Sequence, residues 1–433
     1  MKVLYWFRND LRLHDNEVLQ YISQYAESWL PVYCLHEKEL TENFLGFVKT
    51  GKFRLKFLKE ALQNLNENLQ PYHAEVNIFK GNTIAVLKQL IAENNIDTVC
   101  FHEEAASDER QEENELIAYC NLHHIKVVSF WGSTLYHKNQ LVMPLEKLPD
   151  IFTQFRQKQE KYGTVQNTFL KPERLPACIK TENNFSINVN EIIKDFETDT
   201  RAAINFKGGE IEALKRLNYY LFETRKIEQY KLTRNQLLGS DYSSKFSPWL
   251  ALGCISAKTI YLTIKNYEAT VTSNESTYWL VFELIWRDYF RFVALKYGSH
   301  IFKKGGIKQL KTTKIPKPVS EKQEAIFKTW CDGETGVPFI DANMTELKTT
   351  GFMSNRGRQN VASFLVKDLK IDWRWGAAWF ESLLIDYDVC SNYGNWNYIA
   401  GIGNDPRENR YFNISLQAEK YDSDGSYVKH WLT

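Results

Sequence analysis

The chain has 433 residues, too many for one typical domain and suited to two or three. It is 43% hydrophobic and 25% charged, ordinary for a soluble protein, and no apolar run approaches the ~18 residues of a membrane-crossing helix; a cytoplasmic location and a monomer are the expectations. Seven cysteines (34, 100, 120, 178, 254, 331, 390) form no CxxC pair, which argues against a disulfide framework or a metal site.

The net charge of +1 conceals two unlike halves. From Arg225 to the end there are 28 Lys and Arg against 22 Asp and Glu, and before it 26 against 31. Nine of the twelve tryptophans lie from Trp249 onward. A basic, aromatic C-terminal half points to an anionic partner, with nucleic acid first.

In chain order, Lys2 to Phe7, Trp29 to Leu35, Ala74 to Phe79, Thr98 to Phe101 and Ile125 to Phe130 read as short apolar strands. Helical patterns lie between them, including Lys52 to Leu69, Asn82 to Glu93 and Ser107 to Leu122. This alternation predicts a doubly wound, Rossmann-like parallel sheet over residues 1–131. No GxGxxG follows the first strand, so an ordinary dinucleotide site there has little support. The first strand runs instead into Trp6-Phe7-Arg8-Asn9-Asp10-Leu11-Arg12, which local Arg–Asp pairs could hold.

Residues 132–201, with prolines at 144, 149, 172 and 176 and polar runs, read as a linker. From there to the C-terminus the 3.6-residue pattern dominates and predicts an all-helical domain over 202–433. Within it, Ser247 and Pro248 mark a helix start with Gly253 as its stop. Hydroxyls, backbone N–H groups and a lysine at Ser243, Ser244, Lys245, Phe246 and Ser247 suit a pyrophosphate. Glu283 and Trp286 share one helix face. Six lysines and no acids lie between His300 and Ser320, a basic loop able to follow a phosphate backbone.

The densest stretch is Gly351 to Asn413. Its Asn355, Arg358, Asp386, Asp388, Asn392 and Asn395, set among Trp373, Trp375, Trp379, Trp396 and Tyr398, exceed what a packed helix needs. The run NRxRxxxASFLVKDLxIDWRxG, followed by LIDxDxxxNxGNWxY, resembles the flavin-binding end of the photolyase and cryptochrome family, most closely its DASH branch. WFRNDLRxxDN near the start and TRNxLxGxDYSSKFSPWLALG resemble the same family.

That resemblance implies one FAD, with its diphosphate on Ser243 to Ser247 beside Tyr230. It sets Asn355, Arg358, Asp386 and Asp388 around the flavin and Asn392 against its central ring. It also implies a folate antenna (5,10-methenyltetrahydrofolate) touched by Glu109, whose bland alternative is an acidic first turn. Glu283, Trp286, Gln359 and Tyr398 would receive a pyrimidine dimer. Gln359 and Tyr398 replace the Met and second Trp of duplex-acting relatives, which favours single-stranded DNA, with RNA as a further ligand. Trp396, Trp373 and Trp330 would relay an electron inward, in that order outward from the flavin. The alternative is a flavin-bearing blue-light regulator that binds nucleic acid without repair, which Glu283 and Trp286 argue against. The chain ends about twenty residues past the motif, with no long polar tail, which also speaks against signalling alone.

Overall fold

A computed structural model describes residues 1–43, 45–309, 320–407 and 410–433. Strands β1 (Lys2–Phe7), β2 (Ser28–His36), β3 (Asn77–Gly81), β4 (Thr98–His102) and β5 (Lys126–Phe130) form a sheet in the order β3-β2-β1-β4-β5. Every pairing is parallel, and the short β6 (Ala177–Cys178) also joins β2. Alternation along β1 sends Val3, Tyr5 and Phe7 to one face and Leu4 and Trp6 to the other, and both sets are buried. Leu4 and Trp6 meet residues of helices Thr83–Asn94 and Ser107–Leu122. Val3, Tyr5 and Phe7 belong to a core that continues into Trp249, Ile260 and Tyr289, so the sheet and the helical region share one apolar interior.

Three expectations change. The third strand begins at Asn77 rather than Ala74, because Ala74 N–H bonds Leu69 O (3.3 Å) and Val76 N–H bonds Asn66 Oδ1 (2.8 Å), closing a helix end instead of joining β2. The stretch 132–201 carries helix Phe152–Tyr162, whose Phe155 packs on Tyr289. The loop after β1 is held less by Arg–Asp pairs than by Asp10 to His102 (2.6 Å), Arg8 to Glu113, and Arg12 Nη1 to Gly253 O (2.9 Å). Gly253 has φ +63, and a Cβ there would lie 1.9 Å from Asn9 O, so only glycine lets the loop and the helical region approach this closely.

The helical region contributes a second core around Trp330, Phe380 and Trp396. Four helices set the site. Glu275–Tyr297 starts on an Asn274/Thr277 capping box, Asn355–Ser363 on Ser354, Trp373–Leu383 on Asp372, and Val389–Ala400 on Asp388. No described helix is long and apolar enough to cross a membrane. Half of the basic loop, Lys311, Lys314 and Lys317, lies outside the described residues.

Candidate functional site

Three adjoining hollows of about 270, 100 and 370 Å³ lie among these helices, and Asn355 and Ser391 line all three. Tyr230, Ser243, Ser244, Lys245, Phe246 and Ser247 line the first, together with Arg358, Asp386 and Asp388. Asn392 and Trp396 line the second. Glu283, Trp286, Gln359 and Tyr398 line the third, and Glu283 also faces the first. Each is within the size range of a ligand pocket or smaller, and together they suit an elongated ligand with a second group beside it.

Asp386 is buried between two partners. Arg358 Nη2 lies 3.0 and 2.9 Å from its two oxygens, and Ser247 Oγ donates to Oδ2 at 2.6 Å. Ser247 is therefore not the N-cap expected of it. It is the first residue of helix Ser247–Ala251, Phe246 stands at the cap, and the hydroxyl is drawn to the carboxylate instead. Asp388 accepts from Ser391 N–H at 2.7 Å and pairs with Arg291. Burial opposes its ionisation, but Arg291 and Arg287 override this and hold the carboxyl at about 2.

Lys245 is the clearest test of whether an anionic cofactor fits. It is 3% exposed, its ammonium lies 3.4 Å from the Tyr242 ring centroid, and Nζ has no hydrogen-bond partner. Burial drives its pKa well below the ordinary lysine value, with Glu346 partly opposing. An unpartnered buried amine next to the Ser243–Ser247 backbone suits a diphosphate, whose negative charge would favour its protonated form. Asn392 Nδ2 donates to Ala377 O (3.1 Å), which uses one of its two N–H donors and leaves the amide oxygen as an acceptor beside the second hollow.

In the third hollow Glu283 pairs with Arg234, and enclosure raises its carboxyl pKa against that pull. Phe152 covers one face of Trp286 at 3.7 Å and 14°. Tyr398 meets Trp286 edge-on at 6.2 Å and accepts from Arg410 Nη2 at 2.7 Å. Gln359 Oε1 is buried with no partner.

The tryptophans require a correction. Trp330 is fully buried, its Nε1 bonds Val361 O (3.1 Å), and its ring lies 6.5 Å from Trp396, so it neighbours Trp396 and is not the outer end of a relay. Trp373, 5% exposed, packs on Tyr393 at 6.1 Å and donates to Lys304 O at 3.2 Å. Sequence context could align the three indoles but could not rank their depth.

A separate cavity of about 660 Å³ lies at the carboxyl ends of the strands, where the order reverses between β1 and β4. Glu109 lines it, with Oε2 unpartnered, and burial with help from Glu104 raises its carboxyl to about 8. Tyr387 and Asp388 line both this cavity and the second hollow. Sequence reading did not assign Arg291 or Arg234. Arg291 sits eight residues after Glu283 on the same helix, and Arg234 stands within the TRN run.

Comparison with known proteins bears on this geometry. Residues 279–433 match the family model described as FAD binding domain of DNA photolyase, and residues 3–178 that of DNA photolyase. A protein named cryptochrome DASH from Xenopus laevis is 49% identical over 433 residues, covering 98% of this chain and 81% of that protein. The crystal structure of a Synechocystis sp. cryptochrome superposes with a TM-score of 0.94 at 46% identity, covering 100% of this chain and 88% of that one. A bacterial class III photolyase from Agrobacterium tumefaciens gives 0.83 at 28% identity, with 100% and 86% covered.

Proposed function

The chain belongs to the DNA photolyase and cryptochrome family, in its cryptochrome DASH group, and on that premise we propose that it splits cyclobutane pyrimidine dimers, chiefly in single-stranded DNA, under blue or near-ultraviolet light. Reduced FAD, when bound, supplies the light-excited electron. What carries the reading is continuity: Glu283, Arg234 and Arg287 line both the hollow beside Ser243–Ser247 and the pocket holding Trp286, Gln359 and Tyr398.

Each side chain has a definable task. Ser243 to Ser247 and Lys245 hold the diphosphate, Arg358 and Ser247 orient Asp386, and Arg291 orients Asp388. Asn355 stands where all three hollows meet, and the amide oxygen of Asn392 accepts from the cofactor's central ring. Glu283 bonds a base of the lesion, Gln359 Oε1 offers a second acceptor, and Trp286 and Tyr398 flank the bases.

Single-strand preference follows from the modest stacking surface. Trp286 already spends one face on Phe152, and Tyr398 is a smaller ring held on edge. Stacking is worth about 1–3 kcal/mol per base, whereas unpairing a duplex base costs roughly a few kcal/mol. Repair of a dimer in a single-stranded oligonucleotide is expected to exceed that in linear duplex by about tenfold or more. Equal rates would refute the pocket argument, and repair of neither would favour the regulator.

We further infer that the cavity of about 660 Å³ takes the folate antenna, with Glu109 as a contact. Because Tyr387 and Asp388 form a shared wall, a chromophore there lies one side-chain layer from the flavin hollow. With its carboxyl raised to about 8, Glu109 is protonated at neutral pH and can donate a hydrogen bond. Its contribution to stability is complete below the ordinary carboxyl range and is lost as pH rises toward about 8. Folate content is expected to fall over the same interval. Glu109→Gln should keep the folate and lose that pH dependence, and Glu109→Ala should lose the folate, read by near-ultraviolet absorbance. Unchanged occupancy in Glu109→Ala would reduce this residue to a helix-terminus charge.

A further inference from the structure

The side chain that governs Glu283 is Arg234, and Arg234 is itself held by an aromatic ring. Its guanidinium carbon lies 4.6 Å from the centroid of Trp279 while Nη1 reaches Glu283 Oε1. Trp279 and Glu283 are four residues apart on helix Glu275–Tyr297, so their side chains share one face, and the guanidinium lies along it. Trp279 is propped in turn by Phe282 at 4.5 Å and has Lys231 Nζ 5.6 Å from its centroid, but Lys231 is engaged with Glu275 at 2.8 Å. Trp279 is absent from the walls of the lesion pocket and touches two residues that line it, Phe282 and Arg234, of which Arg234 is the one that contacts Glu283.

We propose that Trp279 is a positioning residue: its indole face fixes the plane of Arg234, and Arg234 so fixed holds the Glu283 carboxyl group aimed into the pocket. A planar guanidinium gains orientation from an aromatic face that an ammonium group does not gain. Without the indole, Arg234 is free to turn toward solvent, and the carboxyl is left to its enclosure. The charged and titratable groups lining the two hollows that Glu283 faces are Arg234 and Tyr230 from the segment around helix Tyr230–Thr233, Tyr242 and Lys245 ahead of helix Ser247–Ala251, Arg287 from its own helix, Arg356 and Arg358 from helix Asn355–Ser363, Asp386 and Asp388, and Tyr398 and Arg410. Arg234 is the one in ion-pair contact with it, and its pull lowers the carboxyl pKa while burial raises it.

The DNA arm of the test rests on the repair reading, and the titration arm does not. In the full-length protein the Glu283 carboxyl band, identified by its loss in Glu283→Gln, is followed by infrared spectroscopy across pH. Trp279→Leu, which keeps apolar bulk without a ring face, is expected to move the midpoint upward, and Trp279→Phe to keep it near the parent. Arg234→Lys retains the charge but cannot stack a plane, and should move it upward as well. In the dark, binding of a thymine-dimer oligonucleotide at neutral pH should weaken about fivefold in Trp279→Leu and less than about twofold in Trp279→Phe. A Trp279→Leu midpoint equal to the parent's overturns the proposal, as does an equal shift in the leucine and phenylalanine variants. If the parent does not distinguish dimer from undamaged DNA, the repair reading fails, while the titration still decides the role of Trp279.

Discussion

Replacing Trp396 by phenylalanine is expected to slow photoreduction of the bound flavin at least about tenfold while leaving the fold intact. Trp396 is 2% exposed, lines the second hollow and lies 6.5 Å from Trp330 and 5.2 Å from Phe380. A ring-for-ring exchange in a core costs about 1.5 kcal/mol or less, but phenylalanine is far harder to oxidise than tryptophan. Illumination of oxidised protein with an external thiol should therefore accumulate little reduced flavin. Protein reduced chemically beforehand should still repair, which separates electron supply from the repair step. Gly376 offers an independent perturbation: a Cβ there would lie 2.2 Å from Trp396 Cη2, so Gly376→Ala must displace the indole. Photoreduction at the parent's rate in Trp396→Phe would remove this residue from the relay.

The second large effect concerns Arg358. Arg358→Met leaves the Asp386 carboxylate, 3% exposed at its side chain, with Ser247 as its remaining close partner. Breaking a buried pair from one side costs about 3–5 kcal/mol, because the surviving charge is uncompensated. The purified variant is expected to be colourless and to unfold at lower temperature. Combining Arg358→Met with Asp386→Leu removes both charges and should restore much of the stability without restoring FAD. If the double variant binds FAD normally, the pair is structural packing and not part of the cofactor site.

The fold class was legible along the chain because strand and helix signals are local. The continuous apolar run of Lys2–Phe7, buried on both faces, and 3.6-residue patterns after Glu210 need only neighbours a few positions apart. Register at the edges was not, since whether Ala74 joins the sheet depends on the competing bonds made by Leu69 and Asn66. Ser247 illustrates the same limit. Serine before Pro248 reads as a cap, yet Asp386, 139 positions away, takes its hydroxyl.

The sequence by itself singled out the residues proposed to carry the chemistry, the hydroxyl and lysine run at 243–247, the two aspartates at 386 and 388, and the Glu283/Trp286 face, through local spacing together with the family resemblance of the runs that contain them. Tertiary structure alone decided who neutralises whom and what is enclosed. Arg291 meets Asp388 and Arg234 meets Glu283 only because separate segments converge, and Phe152, from a stretch read as a linker, covers Trp286. The depth of Trp330 and the raised carboxyls of Glu109 and Glu283 follow from desolvation, which depends on every neighbour in space and on none in particular along the chain.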